Sequence, residues 1–239
     1  MLKQKGSMSS VDEFSGSSGE ELLEKLIRSG EPVQVSLIQK ISRMAKRGLD
    51  IFGALVGLIL LVLLLPIISL VIWWEDRGPI FYKQVRVGQN GRPFLIYKFR
   101  SMIVDADDYM ARHPELLEAW SKDGKLKSDP RITRIGAFLR STSLDELPQV
   151  LNILRGEMSL VGPRAIQFSE KELFGELIDL RQSVKPGLTG LWQISGRSMT
   201  DYEQRCILDC IYVIDWSFWL DIEILLRTLP IVTNGVGAF

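Results

Sequence analysis

Residues 51–74 read IFGALVGLILLVLLLPIISLVIWW, and this stretch gives the clearest indication of the kind of protein that the chain forms. These 24 residues carry no charged side chain. As a straight helix at about 1.5 Å per residue they would be roughly 36 Å long, and the hydrocarbon core of a bilayer is about 30 Å thick. Trp73 and Trp74 at the end are typical of a membrane–water interface. The stretch therefore predicts a membrane helix.

The residues around this stretch indicate that the helix does not cross the bilayer. Pro66 lies near its middle, where proline removes one backbone hydrogen bond and kinks a helix. Cationic residues stand on both sides of the stretch, and cationic flanks tend to stay in the cytoplasm. The cationic residues are Lys40, Arg43, Lys46 and Arg47 before the stretch and Lys83, Arg86, Arg92, Lys98 and Arg100 after it. We therefore favour a re-entrant helix broken at Pro66 over a full crossing. Asp50 is expected to pair with Arg47 at its entrance.

Length and charge limit what the rest of the chain can be. Its 239 residues suit one domain with an appendage, and 29 cations against 29 anions argue against a general nucleic-acid binder. Cys206 and Cys210 are four residues apart in an apolar context and are expected to be two buried thiols. His113 is the only histidine and stands beside Pro114, so we expect a loop or helix-end residue.

The chain divides into three predicted regions. Residues 1–36 are rich in Ser, Gly and charge and predict a partly disordered N-terminal extension with a short helix at 20–29. Residues 37–75 predict a basic amphipathic segment followed by the membrane helix. Residues 76–239 predict a catalytic domain that begins with a β-hairpin around Asn90-Gly91. Within it, 131–143 and 201–232 have amphipathic patterns, which fit helices at the membrane interface as well as helices packed on a core.

The segment LRSTSLDELPQVLNILRGEMSLVGPRA, residues 139–165, holds the candidate chemistry. Two adjacent carboxylates, Asp145 and Glu146, lie between Arg140 and Arg164. Ser143 and Glu146 match a capping box, so the pair is open to a purely structural interpretation. Pro148 weakens that interpretation, because proline favours the first position of a helix and would leave the pair on a turn before it.

The functional interpretation of this segment is phosphoryl chemistry. One carboxylate can bind Mg²⁺ or attack phosphorus while the other assists, and arginines neutralise phosphate oxygens. Gly162-Pro163 before Arg164 predicts a rigid loop that lets the backbone approach a ligand. The later segment VKPGLTGLWQISGR, which includes Trp192, Gln193 and Arg197, is a candidate loop for a base or sugar. Its glycine spacing matches neither a Walker A motif nor a dinucleotide fingerprint.

Several motifs in order resemble the bacterial sugar transferases, and among them the monotopic polyprenyl-phosphate sugar-1-phosphate transferases (phosphoglycosyl transferases). The matching motifs run from about Arg43 to the end of the chain; they are KRGLD, GPIFYKQVRVG, FLIYKFRSM, DPRITRIGAFLRSTSLDELPQVLNILRGEMSLVGPR, VKPGLTGLWQISGR and NGVGAF. Two departures stand out. Ala165 replaces the second proline of the usual GPRP, and Leu65 precedes Pro66 where some relatives have serine.

The resemblance implies an α/β, mostly helical monotopic membrane protein. It would have one re-entrant, Pro66-broken membrane helix, interfacial amphipathic helices and a small catalytic body on the cytoplasmic face of the bacterial inner membrane. Larger members of the family have further spanning helices and a nucleotide-fold domain before this module, so the chain resembles a minimal catalytic unit. A homodimer stays open.

The resemblance also implies a reaction with polyprenyl (undecaprenyl) phosphate and a UDP-sugar as partners and Mg²⁺ as cofactor. Asp145 would be the nucleophile and a magnesium ligand, and Glu146 would complete the catalytic pair. Phosphate or substrate contacts would come from Arg140, Arg164, Lys98, Gly162 and Pro163. Two alternatives remain: a membrane-anchored scaffold in which the acidic pair only caps a helix, and a metal-dependent phosphatase of a lipid pyrophosphate.

Overall fold

The computed structural model of the chain describes residues 37–123, 126, 129–196 and 202–234. The predicted extension at 1–36, with its helix at 20–29, lies outside the described residues, and so do Arg197 and most of the NGVGAF motif. The described part is mostly helical and contains two small sheets of two strands each.

The first element is a 40-residue helix, α1 (Leu37–Asp76), which runs without interruption through Pro66. The predicted break at Pro66 is therefore not seen as an end to helical structure. A proline removes only one hydrogen bond from the helix, and the bonds on either side maintain it. Among the described residues this is the one helix, over Ser42–Asp76, that is long and apolar enough to cross a membrane by length and composition.

One stripe of α1 packs on the rest of the protein along the whole helix. Asp50, Ala54, Leu61, Ile68 and Ile72 are all buried, at spacings of four and seven residues. Residues with this spacing lie on one face of a helix. The opposite face is apolar and exposed, and includes Phe52, Ile59, Val62, Leu63, Ile67 and Trp74. A single helix therefore has one face on the protein core and one apolar face without a protein partner among the described residues.

The N-terminal end of α1 is tied to the body by polar contacts. Arg47 donates hydrogen bonds to the carbonyls of Ile153 and Leu154, at 2.8 and 3.0 Å. Asp50 accepts one from the Ser159 hydroxyl and one from the Leu160 backbone, both at 2.8 Å. The predicted Arg47–Asp50 pair is therefore wrong, because each side chain finds a partner on the body instead.

The C-terminal end of α1 is tied to the same body. Glu75 accepts hydrogen bonds from the backbone N–H groups of Arg134 and Ile135, at 2.8 and 3.3 Å. Asp76 forms a bidentate ion pair with Arg100. Both ends of α1 are therefore held by elements of the same body.

A β-hairpin follows α1, as the sequence predicts. Strands β1 (Phe81–Val87) and β2 (Pro93–Phe99) are antiparallel, with Val85 opposite Leu95. Asn90 and Gly91 have positive φ angles of 55° and 74°. This is the conformation that makes Asn-Gly favourable in a tight hairpin connection.

Three helices lie between the hairpin and the acidic pair, and the last of them falls within the amphipathic stretch at 131–143. They are α2 (Ala106–Ala111), α3 (Pro114–Asp123) and α4 (Arg134–Ser141). Thr133 caps α4 by accepting a hydrogen bond from the Gly136 N–H at 2.9 Å. Gly136 allows α4 to approach the chain before it, because a Cβ there would lie 2.0 Å from the Ser101 carbonyl oxygen. This contact brings the C-terminal end of α4 beside the end of β2.

After α4 the chain forms a 3₁₀ helix (Leu144–Gln149), which we call the dyad turn, and then α5 (Val150–Arg155) and β3 (Ser159–Val161). A second 3₁₀ stretch (Phe168–Leu177), α6 (Ile178–Gln182), β4 (Gly187–Thr189) and α7 (Leu191–Ile194) complete this part. Strands β3 and β4 pair in parallel. A Cβ on Gly187 would lie 2.1 Å from the Gly162 backbone nitrogen, so glycine is needed where the two loops meet.

Two helices, α8 (Tyr202–Ile214) and α9 (Phe218–Asn234), close the fold. Asp221 on α9 is fully buried and accepts hydrogen bonds from Lys46 (2.6 Å), Tyr212 (2.8 Å) and Trp216 (3.2 Å). This network joins the start of α1 to the C-terminal helices. Both sequence interpretations of α9 have some support, because Ile224 is buried in the core while Trp219 and Leu226 are exposed.

Candidate active site

The acidic pair lies on the dyad turn. Ser143 adopts a left-handed conformation (φ 56°) and its side chain makes no capping hydrogen bond. The capping-box interpretation of Ser143 and Glu146 is therefore wrong. Pro148 lies inside the dyad turn and α5 begins only at Val150, so the pair precedes the helix, as the position of Pro148 suggests.

A cleft of about 790 Å³ opens beside the dyad turn. It brings together five of the residues that the sequence singles out, from four separate elements: Lys98, Arg140, Asp145, Glu146 and Arg164. Gly162 and Pro163 are buried and do not line it. Their close contact is with the backbone of the neighbouring loop, where the Pro163 carbonyl accepts a hydrogen bond from the Gly187 N–H at 2.8 Å. Their visible role is to hold the loop that carries Arg164.

Asp145 is 7% exposed, and no side chain of the described residues donates a hydrogen bond to it. Burial raises the pKa of its carboxyl to about 6, against the favourable effect of nearby Lys98 and with a further upward contribution from Glu146. At neutral pH the group is still mostly ionised. It is an anion with unused acceptor capacity in a place that water hydrates poorly, which suits a nucleophile or a metal ligand.

Glu146 has a different environment from its neighbour. Its Oε1 lies 2.5 Å from the Lys98 Nζ, and both side chains are partly exposed. The ion pair joins the dyad turn to β2. It also keeps the Lys98 ammonium next to Asp145, where it contributes to the electrostatics of both carboxylates. The two adjacent acids are therefore distinguished by their surroundings, since Asp145 is buried without a side-chain donor and Glu146 is paired with Lys98.

Arg140 reaches the cleft from the last turn of α4. Its Nε donates a hydrogen bond to the Ser101 hydroxyl at 2.9 Å. The hydroxyl fixes the guanidinium through Nε and leaves the two terminal nitrogens for another acceptor. Two parallel N–H groups of this kind match two oxygens of one phosphate.

Arg164 is positioned through its backbone. Its N–H donates to Asp209 at 3.3 Å, and its carbonyl accepts from Arg181, which in turn pairs with Asp209. Burial raises the pKa of Asp209 to about 6, with Arg181 opposing the shift. The exposed Arg164 side chain lies over the Trp192 ring, with its guanidinium carbon 5.5 Å from the ring centre. Within the described residues, neither Arg140 nor Arg164 pairs with a carboxylate, so the cleft has cationic capacity to spare.

Three further cleft residues escape motif reasoning. Arg86 on β1 is 8% exposed, Gln149 ends the dyad turn at 2% exposed, and Ser101 follows β2. Burial and the proximity of Arg164 lower the pKa of Arg86. The position of Arg86 in VRVG is typical of any strand residue, and the position of Gln149 is typical of a residue on a helix surface. Only the packing of β1, β2 and the dyad turn against one another shows that these residues line the cleft.

Mg²⁺ fits this donor set. Proteins often bind it through one or two carboxylates, with substrate phosphates and water completing the shell. Asp145, with no side-chain donor, has the free carboxylate oxygens that such an ion needs, and Glu146 is adjacent. No group of three or more His, Cys, Asp or Glu side chains with the arrangement of a metal site occurs among the described residues. A protein-only cage is therefore not formed there, and phosphate oxygens would have to share the ion.

Trp192 and Gln193 of the candidate base- or sugar-binding loop also line the cleft, whereas His113, Cys206 and Cys210 do not. His113 stands between α2 and α3, bonded to the Tyr109 carbonyl at 2.8 Å and stacked on its ring, which confirms the helix-end prediction. Cys206 and Cys210 are free and buried, as predicted. Burial raises the pKa of both thiols to about 12, so they are unreactive at neutral pH.

A cleft that combines a buried carboxylate with guanidinium groups lacking a carboxylate partner among the described residues suits a phosphate ligand. Residues 41–235 match the family model described as bacterial sugar transferase. The match covers most of the chain, and the chain belongs to this family.

Relatives with more specific names are similar over nearly the whole chain. An undecaprenyl-phosphate galactose phosphotransferase from Salmonella typhimurium is 42% identical over 214 residues, or 87% of this chain. The exopolysaccharide production protein ExoY from Rhizobium meliloti is 41% identical over 212 residues. A UDP-glucose:undecaprenyl-phosphate glucose-1-phosphate transferase from Klebsiella pneumoniae is 41% identical over 206 residues. The chain spans 44% and 42% of the Salmonella and Klebsiella proteins but 94% of ExoY.

Proposed function

We propose that this chain transfers a sugar 1-phosphate from a UDP-sugar to undecaprenyl phosphate and releases UMP. The observation that carries the proposal is the buried carboxylate of Asp145, which has no side-chain donor, in one cleft with two guanidinium groups, those of Arg140 and Arg164, that have no carboxylate partner among the described residues. A diphosphate is the kind of ligand that would balance such charges. The names of the relatives supply the sugar nucleotide and the lipid carrier.

In the first half-reaction a carboxylate oxygen of Asp145 attacks the β-phosphorus of the UDP-sugar. The bond from that phosphorus to the oxygen bridging the two phosphates breaks, and UMP leaves with the bonding electrons. The sugar phosphate is then held on Asp145 as an acyl phosphate. Arg140 and Arg164 would neutralise the charge on the phosphate oxygens as the bridging bond breaks. Bound Mg²⁺, held by Asp145 with Glu146 beside it, would supply further charge stabilisation.

In the second half-reaction an oxygen of the lipid phosphate attacks the same phosphorus. The bond to the Asp145 oxygen breaks, which restores the carboxylate and forms the diphosphate link to the lipid. The cleft is well placed for a lipid substrate, since Pro79 in its lining follows the end of α1 by three residues. Exposed Phe81 and Val104 also line it. An apolar chain could therefore approach along α1 with its phosphate turned toward Asp145.

The proposed location is the bacterial inner membrane, with the catalytic body on the cytoplasmic face. Its support is the pair of polar anchors that hold both ends of α1 on one body. Single cysteines at exposed Met44 and Val85 test the arrangement in intact cells. Both should be protected from a thiol reagent that does not cross the membrane and should react after permeabilisation. Reaction of one site in intact cells would contradict the proposal.

The activity itself is tested by product identity. Purified protein in lipid nanodiscs, with undecaprenyl phosphate, Mg²⁺ and a set of UDP-hexoses and UDP-N-acetylhexosamines, should release UMP with at least one of them. Inorganic phosphate from a lipid pyrophosphate, without UMP, would support the phosphatase instead. No product from either substrate would favour the scaffold. A positive result would place the chain at the first membrane step of exopolysaccharide, capsule, O-antigen or glycoprotein glycan assembly.

A further inference from the structure

Two buried carboxamides lie three residues apart near the acidic pair, and their surroundings differ completely. Asn152 on α5 is fully buried and uses both ends of its amide. Its nitrogen donates to the Leu95 carbonyl and to Glu157, both at 2.7 Å, and its oxygen accepts from the Tyr97 N–H at 3.2 Å. Asn152 is therefore a structural link between α5 and β2, and it does not line the cleft.

Gln149 is the opposite case. It is 2% exposed, it lines the cleft together with Asp145, and its Nε2 is buried without a hydrogen-bond partner among the described residues. Leaving a buried amide unpaired costs about 1–3 kcal/mol. An apolar side chain of the same size would avoid that cost if Gln149 only filled space. Its position at the end of the dyad turn, four residues after Asp145, instead puts an unused donor in the same cleft as the carboxylate that is proposed to accept the phosphoryl group.

The chemistry of the surroundings indicates what the amide meets. Arg86 contributes another buried donor without a partner, its Nε, to the same cleft, and Arg140 and Arg164 add their guanidinium groups. A cleft in which unused donors predominate suits a ligand rich in acceptors and negative charge. Phosphoryl oxygens have both properties, and a neutral amide can donate to them without adding a further charge to the cleft.

We propose that Gln149 contacts the substrate, with its side-chain amide donating a hydrogen bond to an oxygen of the phosphoryl group that is transferred through Asp145. This inference rests on the proposed function, because it takes the diphosphate of a UDP-sugar as the ligand. It adds a neutral donor to the charged residues already assigned. The hydrogen bond would hold the phosphorus in line with the Asp145 oxygen, and it would strengthen as charge develops on the phosphoryl oxygens.

The test compares Gln149→Met with Asn152→Leu in the full chain in nanodiscs. Gln149→Met keeps the volume and removes the unpaired amide, so its melting temperature should stay the same or rise. UMP release should nevertheless fall at least tenfold in kcat, and the Kd for UDP in the presence of Mg²⁺ should rise about tenfold, as for the loss of a hydrogen bond to a charged group. Asn152→Leu should show the reverse, with a marked loss of melting temperature and an unchanged Kd for UDP in the protein that remains folded.

The outcomes separate the two proposals. If Gln149→Met binds UDP and releases UMP like the wild type, Gln149 is a packing residue and the inference is overturned while the function stands. If Gln149→Met is strongly destabilised, the amide has a structural partner and the inference is likewise overturned. If the wild type releases no UMP from any UDP-sugar, the proposed function fails, and UDP binding alone then decides whether Gln149 contacts phosphate.

Discussion

Asp145 and Asp221 are both buried carboxylates, yet their environments are opposite. Asp221 is fully buried and accepts hydrogen bonds from Lys46, Tyr212 and Trp216. Asp145 has no side-chain donor among the described residues, and burial raises the pKa of its carboxyl to about 6. A carboxylate that accepts several side-chain hydrogen bonds holds elements of the fold together, whereas one that is buried without a side-chain donor is costly to the fold and remains available to a ligand. Substitutions at the two sites should therefore have opposite effects.

The largest expected effect is on turnover in Asp145→Asn. Removal of the nucleophile should reduce UMP release at least a thousandfold. The melting temperature should not fall, because the neutral amide avoids the cost of burying a charge without a donor. Enzyme assays and thermal melts of the same preparation check both parts. Substantial turnover in this variant would show that another group accepts the phosphoryl.

The next effect is on stability in Asp221→Asn. Loss of the charge leaves the partly buried Lys46 ammonium without its anionic partner, although its hydrogen bonds to Val161 and Tyr212 remain, and this should cost about 3 kcal/mol. For a chain of this size that corresponds to a fall of roughly 5–10 °C in melting temperature. The fraction that stays folded should keep its kcat, since Asp221 does not line the cleft. A variant that melts like the wild type but has lost turnover would overturn the contrast between the two aspartates.

A third prediction concerns pH and depends on the environment of Asp145 alone. Its pKa is raised above the usual value of 3.8 to about 6, so the reactive ionised form is lost as the pH falls through 6. Below that point kcat/KM should decrease about tenfold per pH unit. Assays with brief exposure to each pH, followed by return to neutral buffer, exclude denaturation. Activity that persists unchanged down to pH 4.5 would mean that the carboxyl is not perturbed.

The smallest expected effect lies behind the dyad turn, where α1 packs against it. A Cβ on Gly57 would lie 2.6 Å from the Val150 Cγ1, whereas one on Gly48 would meet nothing within 4 Å. Gly48→Ala should raise the melting temperature slightly, since alanine favours a helix by about 1 kcal/mol. Gly57→Ala should lower it or leave it unchanged, because the new methyl group must displace a branched side chain. Equal increases in both variants would show that α1 does not pack closely on the start of α5, directly after the dyad turn.

Local patterns predict much of the fold. The Asn-Gly hairpin, the helix-end position of His113 beside Pro114 and the helical pattern at 201–232 follow from turn chemistry and helical spacing, which act over a few residues. Strands β3 and β4 have three residues each and could not be predicted, because so short a pattern carries no periodicity. The partners of Arg47 and Asp50 lie more than 100 residues away, so only the folded chain shows that they do not pair with each other.

The candidate site likewise contains residues that sequence motifs predict and residues that only the folded structure reveals. Asp145, Glu146, Arg140, Arg164 and Lys98 carry chemistry in their side chains and stand in recognisable motifs, and the structure gathers them in one cleft. Gly162 and Pro163 were expected beside the substrate but lie behind the cleft, because close backbone approach is equally useful between two loops. Gln149 was not expected, since a glutamine becomes informative only when its burial and lack of a partner are known.

The most direct test of the account is to look for the covalent sugar phosphate on Asp145. Wild-type protein is mixed with its UDP-sugar and Mg²⁺ in the absence of undecaprenyl phosphate, quenched rapidly and weighed intact by mass spectrometry. The account predicts a mass increase of one sugar phosphate, which maps to Asp145, is absent in Asp145→Asn and disappears when undecaprenyl phosphate is added. UMP release that requires both substrates together and leaves no adduct at any time, or an adduct on another residue, would contradict it.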